Sequence, residues 1–287
     1  MRFLLALLAA LLALPAAAGE RSDRYSAMTY NIRLDIASDG DNAWPHRRNA
    51  LTSLIAYYAP DLVGMQEVLP NQKQAVEADL PAYRFVGVAR DNGKDKGEFS
   101  PLGFRRDRFN LIASGTFWLS PTPDVPGKGW DATYPRIASW ARLRDKAAKR
   151  NLLVVNTHMD HVGTIARLEG ARQIRRWTAA QRTTNETVVL MGDFNSPTDS
   201  PPYAAIVEPG AGALRDTLAI SRAPHFGPRG TFTGFKIEQV EPAPIDHIFV
   251  SNDVVVLRHA TLTQQSGGRL PSDHYPVLAD LCLGKGC

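Results

Sequence analysis

The stretch Thr187-Val-Val-Leu-Met-Gly-Asp-Phe-Asn195 decides how this chain folds. Thr187 to Met191 is a short apolar run rich in β-branched residues, the pattern of a strand buried on both faces. It passes without a break into Gly192-Asp193-Phe194-Asn195, so a carboxylate and an amide are delivered where a buried strand ends. Two apart on an extended segment, Asp193 and Asn195 are expected to point the same way. Gly192 leaves room for backbone or ligand to come close.

Working outward, four more polar words stand in order: Thr-Tyr-Asn-Ile-Arg at 29–33, Gln-Glu-Val at 66–68, Asn-Thr-His at 156–158 and Ser-Asp-His at 272–274. Four of the five words follow or close a strand-like run. Their side chains should therefore collect where strands leave a sheet. Acids, amides and histidines are the groups that hold a hard divalent cation by oxygen, grip a phosphate and move a proton. Taken singly the words are weak: Glu67 also suits a surface acid or a helix cap before Pro70, and Asp193 also suits a turn.

The intervening sequence predicts strands at 25–32, 61–68, 83–89, 102–105, 110–119, 136–143, 151–157, 187–191, 245–251, 254–263 and 275–281. Helices are expected from Trp44-Pro45 to before Pro60, from Pro70 to about Leu80, and over 164–181, where Ile165, Leu168, Ala171, Ile174 and Trp177 recur every three residues. The segments 120–134 and 196–244 read as loops. Several strands are consecutive with tight connections, which excludes purely parallel winding. The expected fold is α/β, a four-layer sandwich of two mixed β-sheets flanked by helices, in a single domain over 25–283 with a tail at 284–287.

Residues 1–18 read as a secretory signal: Arg2, an apolar run from Phe3 to Leu14, and Ala16-x-Ala18 before Gly19, with 19–24 as an N-terminal segment. The apolar run is too short for an ordinary membrane span, so an exported chain without stable membrane insertion is expected. Cys282 and Cys287 are the two cysteines, and an oxidising compartment would let them close a small loop, although spacing alone does not establish the geometry. The formal charge of +4, or +3 without Arg2, permits a nucleic-acid or anionic-lipid partner but does not demand one.

Asn31, Glu67, His158, Asp193-x-Asn195, Asp246 and Asp273-His274, in that order, resemble the endonuclease/exonuclease/phosphatase superfamily, which includes pancreatic-type deoxyribonucleases, abasic-site endonucleases, bacterial sphingomyelinases and inositol-phosphate phosphatases. The resemblance implies a deoxyribonuclease-like fold. It implies Mg²⁺, with Mn²⁺ as a substitute, held by Asn31, Glu67 and Asp273. It also implies that Asp193 orients or deprotonates the attacking water and that Asn195 donates to a phosphate oxygen. His158 and His274 would serve the two reacting oxygens, with Glu98 and Asp246 as their carboxylate partners and Arg136 near the scissile phosphate.

Three features depart from better-known members: Lys96-Gly97 replaces a tyrosine before Glu98, and both the aromatic membrane hairpin of the sphingomyelinases and the basic extension of the repair enzymes are lacking. The words Gly-Glu-Phe-Ser-Pro and Gly-Thr-Phe-Trp-Leu-Ser are similar to an exported bacterial branch. The expectation is an exported, Mg²⁺-dependent monomeric phosphoesterase, cleaving phosphodiesters in preference to monoesters. A secreted nuclease and a phosphatase or lipid head-group phosphodiesterase are the alternatives; a non-catalytic binding protein on the same fold is remote. The aromatic loop 117–130 could wall a small-molecule pocket. His46, His225, His247, His259, His161 and Asp160 are left outside the catalytic set.

Overall fold

The computed structural model describes residues 23–284 and 287. The expected signal segment lies outside them. Among the described residues, twelve strands form two six-stranded sheets. The first sheet contains β1 (Arg24–Asn31), β2 (Leu62–Gln66), β3 (Tyr83–Val86), β4 (Leu102–Arg105), β11 (Val255–Thr261) and β12 (Val277–Cys282), in the order β11-β12-β1-β2-β4-β3. The second contains β5 (Phe109–Trp118), β6 (Ile137–Asp145), β7 (Asn151–His158), β8 (Glu186–Asp193), β9 (Arg215–Asp216) and β10 (Asp246–Val250), in the order β5-β6-β7-β8-β10-β9. Each sheet has one parallel pair at its centre, β1 with β2 and β7 with β8, and the other pairings are antiparallel.

Parallel neighbours need a crossover, and helices supply it. Between β1 and β2 runs α1 (Trp44–Tyr58), which takes Pro45 in its first turn and stops where Ala59 turns left-handed before Pro60. Between β7 and β8 runs α3 (Thr164–Gln181). With α2 (Pro70–Asp79) and α4 (Pro201–Val207), these helices cover the outer faces. Leu62, Phe104, Val154, Val189, Ile248 and Leu281 belong to the core between the sheets, whereas Leu51 and Ile55 of α1 cluster with Val63, and Ile174 of α3 and Ile206 of α4 with Leu190. Four layers result, as the mixed pattern of elements implies.

A buried polar seam crosses the core. Asn156 of β7 donates to the carbonyls of Met65 and Pro101 at 2.8 and 2.9 Å and accepts from Gln66 Nε2 at 2.7 Å, so it ties the second sheet to the first. Gly64 on β2 makes this approach possible, since a Cβ there would sit 2.5 Å from Asn156 Oδ1.

The sequence reading errs in three places. The buried side of α3 carries Ala166, Gly170, Ala171, Ile174 and Thr178, while Ile165 is 55% exposed, because small residues let the helix sit close to the sheet. The stretch 196–244, expected as loop, contains α4, β9 and α5 (Thr217–Ile220); the paired prolines 201 and 202 open α4 rather than break the chain. The strand expected at 83–89 ends at Val86, where Gly87 takes a positive φ of 120°. Cys282 and Cys287 are bonded, with Cα atoms 5.7 Å apart. No helix among the described residues is long and apolar enough to cross a membrane.

Candidate active site

Strand register brings the polar words together. Asn31 ends β1 opposite Gln66, so Glu67 follows beside it, and His158 ends β7 opposite Asp193, which ends β8. Antiparallel pairing then sets Asp246, the first residue of β10, against Asp193. Ser272 Oγ donates to the Asn31 carbonyl at 2.6 Å, which anchors Asp273 and His274 at the same edge. Ligands of open α/β sheets gather outside the carboxyl ends of parallel strands, and both parallel pairs end here. A pocket of about 610 Å³ opens at this point, lined among others by Glu67, Glu98, Arg136, His158, Asp193, Asn195, Asp273 and His274.

On the side of the first sheet, Asn31 Nδ2 donates to Glu67 Oε1 and to Asp193 Oδ2, both at 3.0 Å. Asn31 Oδ1 accepts from the Arg33 N–H at 3.0 Å, which leaves one lone pair free for a ligand. Glu67 Oε2 accepts from the Leu34 N–H at 3.1 Å. Arg33, Glu67 and Asn195 follow β1, β2 and β8 with positive φ of 56°, 60° and 47°. Such backbone costs ~1–3 kcal/mol at each residue and persists where surroundings enforce it. Burial, and then the nearby Glu67, raise the Asp273 carboxyl above its ordinary range despite His274 and Arg33. Neighbouring carboxylates beside an amide oxygen are a donor set suited to a hard divalent cation. Glu67 and Asp273, with Asn31 Oδ1 adjoining, fit one.

On the side of the second sheet, His274 Nδ1 lies 2.8 Å from Asp246 Oδ2, so the expected pair is formed. Burial alone would keep His274 neutral, but Asp246, followed by Asp193 and Asp273, pushes it well above the ordinary histidine range. Its Nε2 faces Asp193 Oδ2 at 3.8 Å. Asp193, 1% exposed, is raised to about 7 by burial and by Asp246. His158 is the opposite case: burial, Arg136 and Arg90 push it well below 6.5, and its Nε2 lies 3.6 Å from Asp193 Oδ2. One histidine is thus held charged and the other neutral, on either side of one carboxyl that titrates near neutrality. Atoms of Asp193, Asp246 and His274 lie within 4.8 Å of one another, but the 2.8 Å bond between two of them makes this a proton relay rather than a cation cage.

Other expectations need correction. Glu98 stands beside His158 without a hydrogen bond to it: Oε2 lies 3.8 Å from His158 Nδ1 and is bound at 2.7 Å to Arg90 Nη1, a nearer and charged partner. Asp193 and Asn195 are not on a continuing strand. β8 stops at Asp193, whose Oδ1 accepts from the Asn195 N–H at 2.8 Å, and Asn195 Nδ2 donates to the Met159 carbonyl at 3.0 Å, although Asn195 still lines the pocket. Gly192 makes room for backbone, since a Cβ there would meet the Thr157 carbonyl oxygen at 2.1 Å. Arg136 is 4% exposed and lines the pocket, held by Asp160 at 3.3 Å and by His161 Nδ1 at 2.9 Å. Asp160 and His161 therefore belong to the site after all.

The aromatic loop 117–130 is not the wall. Phe117 stacks on Trp177 in the core, and Trp118 Nε1 donates to the Arg90 carbonyl at 2.7 Å, holding Arg90 from behind. Tyr134 and Phe232 line the pocket instead, with Arg33 and Arg90. Arg47 also escaped the sequence reading. Fully buried on α1, its guanidinium donates to the carbonyls of Ile32, Arg33, Leu34 and Pro271, so it clamps the two loops that carry Glu67's backbone partner and Asp273. A lone arginine among helical residues carries no signal of that role.

Two packed mixed sheets that present an acid, amide and histidine set at one edge define the class as hydrolases of phosphoester bonds. The chain belongs to the endonuclease/exonuclease/phosphatase family, whose sequence profile matches residues 28–274. A family protein from Bacteroides thetaiotaomicron is similar at 35% identity and a TM-score of 0.87, covering 92% of this chain and 96% of that one. A mannosyl-6-phosphatase of the same organism is similar at 36% identity and a TM-score of 0.85, covering 90% and 99%. The CCR4-Not 3'-5'-exoribonuclease subunit of Candida albicans shares 24% identity across 93% of this chain. The chain spans 59, 17 and 42% of the lengths of three curated relatives it matches.

Proposed function

We propose that this protein is an exported, Mg²⁺-dependent hydrolase of small phosphate esters, acting on a monoester whose phosphoryl group enters the pocket beside Asp193. The observation that carries this reading is the arrangement of Asp193 between charged His274 and neutral His158, in a bounded pocket that also holds Arg33, Arg90 and Arg136. The guanidinium groups of Arg33 and Arg136 suit a dianionic phosphate. The likeness to a mannosyl-6-phosphatase supports a monoester over the phosphodiester expected from sequence. Export is supported by the signal-like segment at 1–18.

In this reading Asp193, titrating near neutrality, takes the proton of the attacking water, as an efficient general base should. His274, kept charged and oriented by Asp246, donates to a phosphoryl oxygen as charge builds there. Arg136 holds another oxygen of the same group. His158, neutral, orients water through its Nε2. Glu67, Asp273 and Asn31 would hold Mg²⁺, which when bound supplies charge stabilisation at the phosphoryl oxygens.

A second reading is a small phosphodiester, as expected from sequence and supported by the likeness to a 3'-5'-exoribonuclease subunit. A panel with Mg²⁺ or Mn²⁺ decides: hexose 6-phosphates, nitrophenyl phosphate, inositol phosphates, bis-nitrophenyl phosphate, sphingomyelin, plasmid and single-stranded DNA, and RNA. Preference for monoesters is expected. Preference for a diester or nucleic acid would displace the first reading.

A further inference from the structure

The proton-transfer groups account for the floor of the pocket but not for its outer wall. There Arg90 Nη1 and Glu98 Oε2 form an ion pair at 2.7 Å, with side chains 10% and 14% exposed and both residues lining the pocket. Tyr134, 47% exposed, stands at the rim. Its ring is fixed by the Arg90 guanidinium, 5.0 Å from the ring centroid, and by the near-parallel His161 ring, 6.1 Å away at 17°. His161 is fixed in turn by Arg136. Two buried guanidinium nitrogens of this wall, Arg90 Nε and Arg136 Nη1, have no hydrogen-bond partner, although such donors are ordinarily satisfied.

We propose that Arg90, Glu98, Tyr134 and His161 form the subsite for the leaving group, and that this group is a polyhydroxylated ring, making the substrate a sugar phosphate. The inference rests on the monoesterase reading. Neighbouring hydroxyls each offer a donor and an acceptor, and a guanidinium–carboxylate pair presents the complementary acceptor and donors side by side. A carboxylate beside the phosphate pocket would repel a second phosphate or an anionic head group, but it accepts from a neutral hydroxyl. Tyr134 gives the ring carbons an apolar edge at the mouth. Burying sugar hydroxyls against unmatched partners is costly, so such a wall also selects among epimers. In the reaction the water oxygen bonds to phosphorus as the bond from phosphorus to the sugar oxygen breaks. The proton that Asp193 took from the water is returned through solvent, and an equivalent proton neutralises the sugar oxygen, so inorganic phosphate and free sugar leave with the proton count unchanged.

The test compares mannose 6-phosphate, glucose 6-phosphate, methyl mannoside 6-phosphate as a glycan-like form, adenosine 5'-phosphate and methyl phosphate, an alkyl monoester without ring or hydroxyls. The intact enzyme with Mg²⁺ is run beside Tyr134→Ala and Arg90→Lys, each checked by thermal unfolding. For both variants kcat/KM on hexose phosphates should fall by about tenfold or more, the scale of one lost polar or packing contact. Tyr134→Ala should leave methyl phosphate within about threefold of the parent, well inside that scale. Better turnover of the mannoside than of free mannose 6-phosphate would support the glycan-borne source of the same chemistry. Equal losses on methyl phosphate and hexose phosphates, unchanged hexose turnover, or preference for adenosine 5'-phosphate would overturn the subsite. If the parent enzyme hydrolysed the diester bis-nitrophenyl phosphate but no monoester, the underlying monoesterase reading would fail instead.

Discussion

At the scale of single residues, the site depends on opposed environments for similar groups. His274→Ala should lower turnover by roughly two to four orders of magnitude, the range for a lost acid or base. Asp246→Asn should lower it less, because the imidazole stays while its charge and orientation weaken; a harmless Asp246→Asn beside a severe His274→Ala, measured at saturating substrate, would break the pairing. Glu67→Gln should raise the Mg²⁺ concentration for half-activation with little change in Tm, since a neutral amide keeps the shape but not the charge a hard cation prefers. Asp193 carries a stability cost that can be read directly. Its folded pKa of about 7 exceeds the ordinary 3.8, so the stability it contributes is full below 3.8 and lost as pH rises through 7. Without metal at about pH 8, Asp193→Asn should therefore raise Tm by at least ~2–4 °C, the shift from about 1 kcal/mol in a chain of this size, while abolishing activity. A lower Tm in calorimetry would count against the strained-base assignment. Acids and histidines that close strands were legible in sequence because strand ends leave their side chains nowhere else to go. Arg90, His161 and Arg47 were not, because their roles come from loop paths and neighbours distant along the chain.

Elements show the same division between what pattern reveals and what packing decides. Strand runs such as 151–158 and 186–193 have continuous apolar centres, at 152–155 and 188–191, and were found within a residue or two of their ends. α4 was hidden because its seven residues open on two prolines, and the true face of α3 was hidden because small residues rather than large ones meet the sheet. β11 carries a further property. His259, 4% exposed, lies with its Nδ1 2.9 Å from that of His225, and burial lowers it from 6.5 to about 4, with Asp216 opposing and His225, His247 and Arg229 adding to the fall. A folded pKa below the unfolded one means full stability above 6.5 and progressive loss as pH falls towards 4. The Tm of the parent should drop across that window, and His259→Gln should flatten the profile. Parallel curves for the two proteins would show that another group controls it.

On the scale of the whole molecule, a charge of +4 spread in small groups provides no continuous basic track. Turnover of a small ester should change little as salt rises, whereas a chain that binds several nucleic-acid phosphates loses affinity steeply; a steep salt loss with efficient DNA cleavage would restore the nuclease reading. Both sheets supply the site, since Glu67 directly follows β2 and Asp273 lies just before β12 of the first, while His158, Asp193 and Asp246 stand on β7, β8 and β10 of the second. Two greasy sheets held by non-directional attraction alone could glide over each other at small cost, and a slip of even one ångström would misalign every distance on which proton transfer depends. Asn156 prevents that glide. Seated against Gly64 and bonded to Met65, Gln66 and Pro101, it acts as a dowel between two plates, so this amide far from any substrate sets the alignment tolerance of the whole catalytic machine.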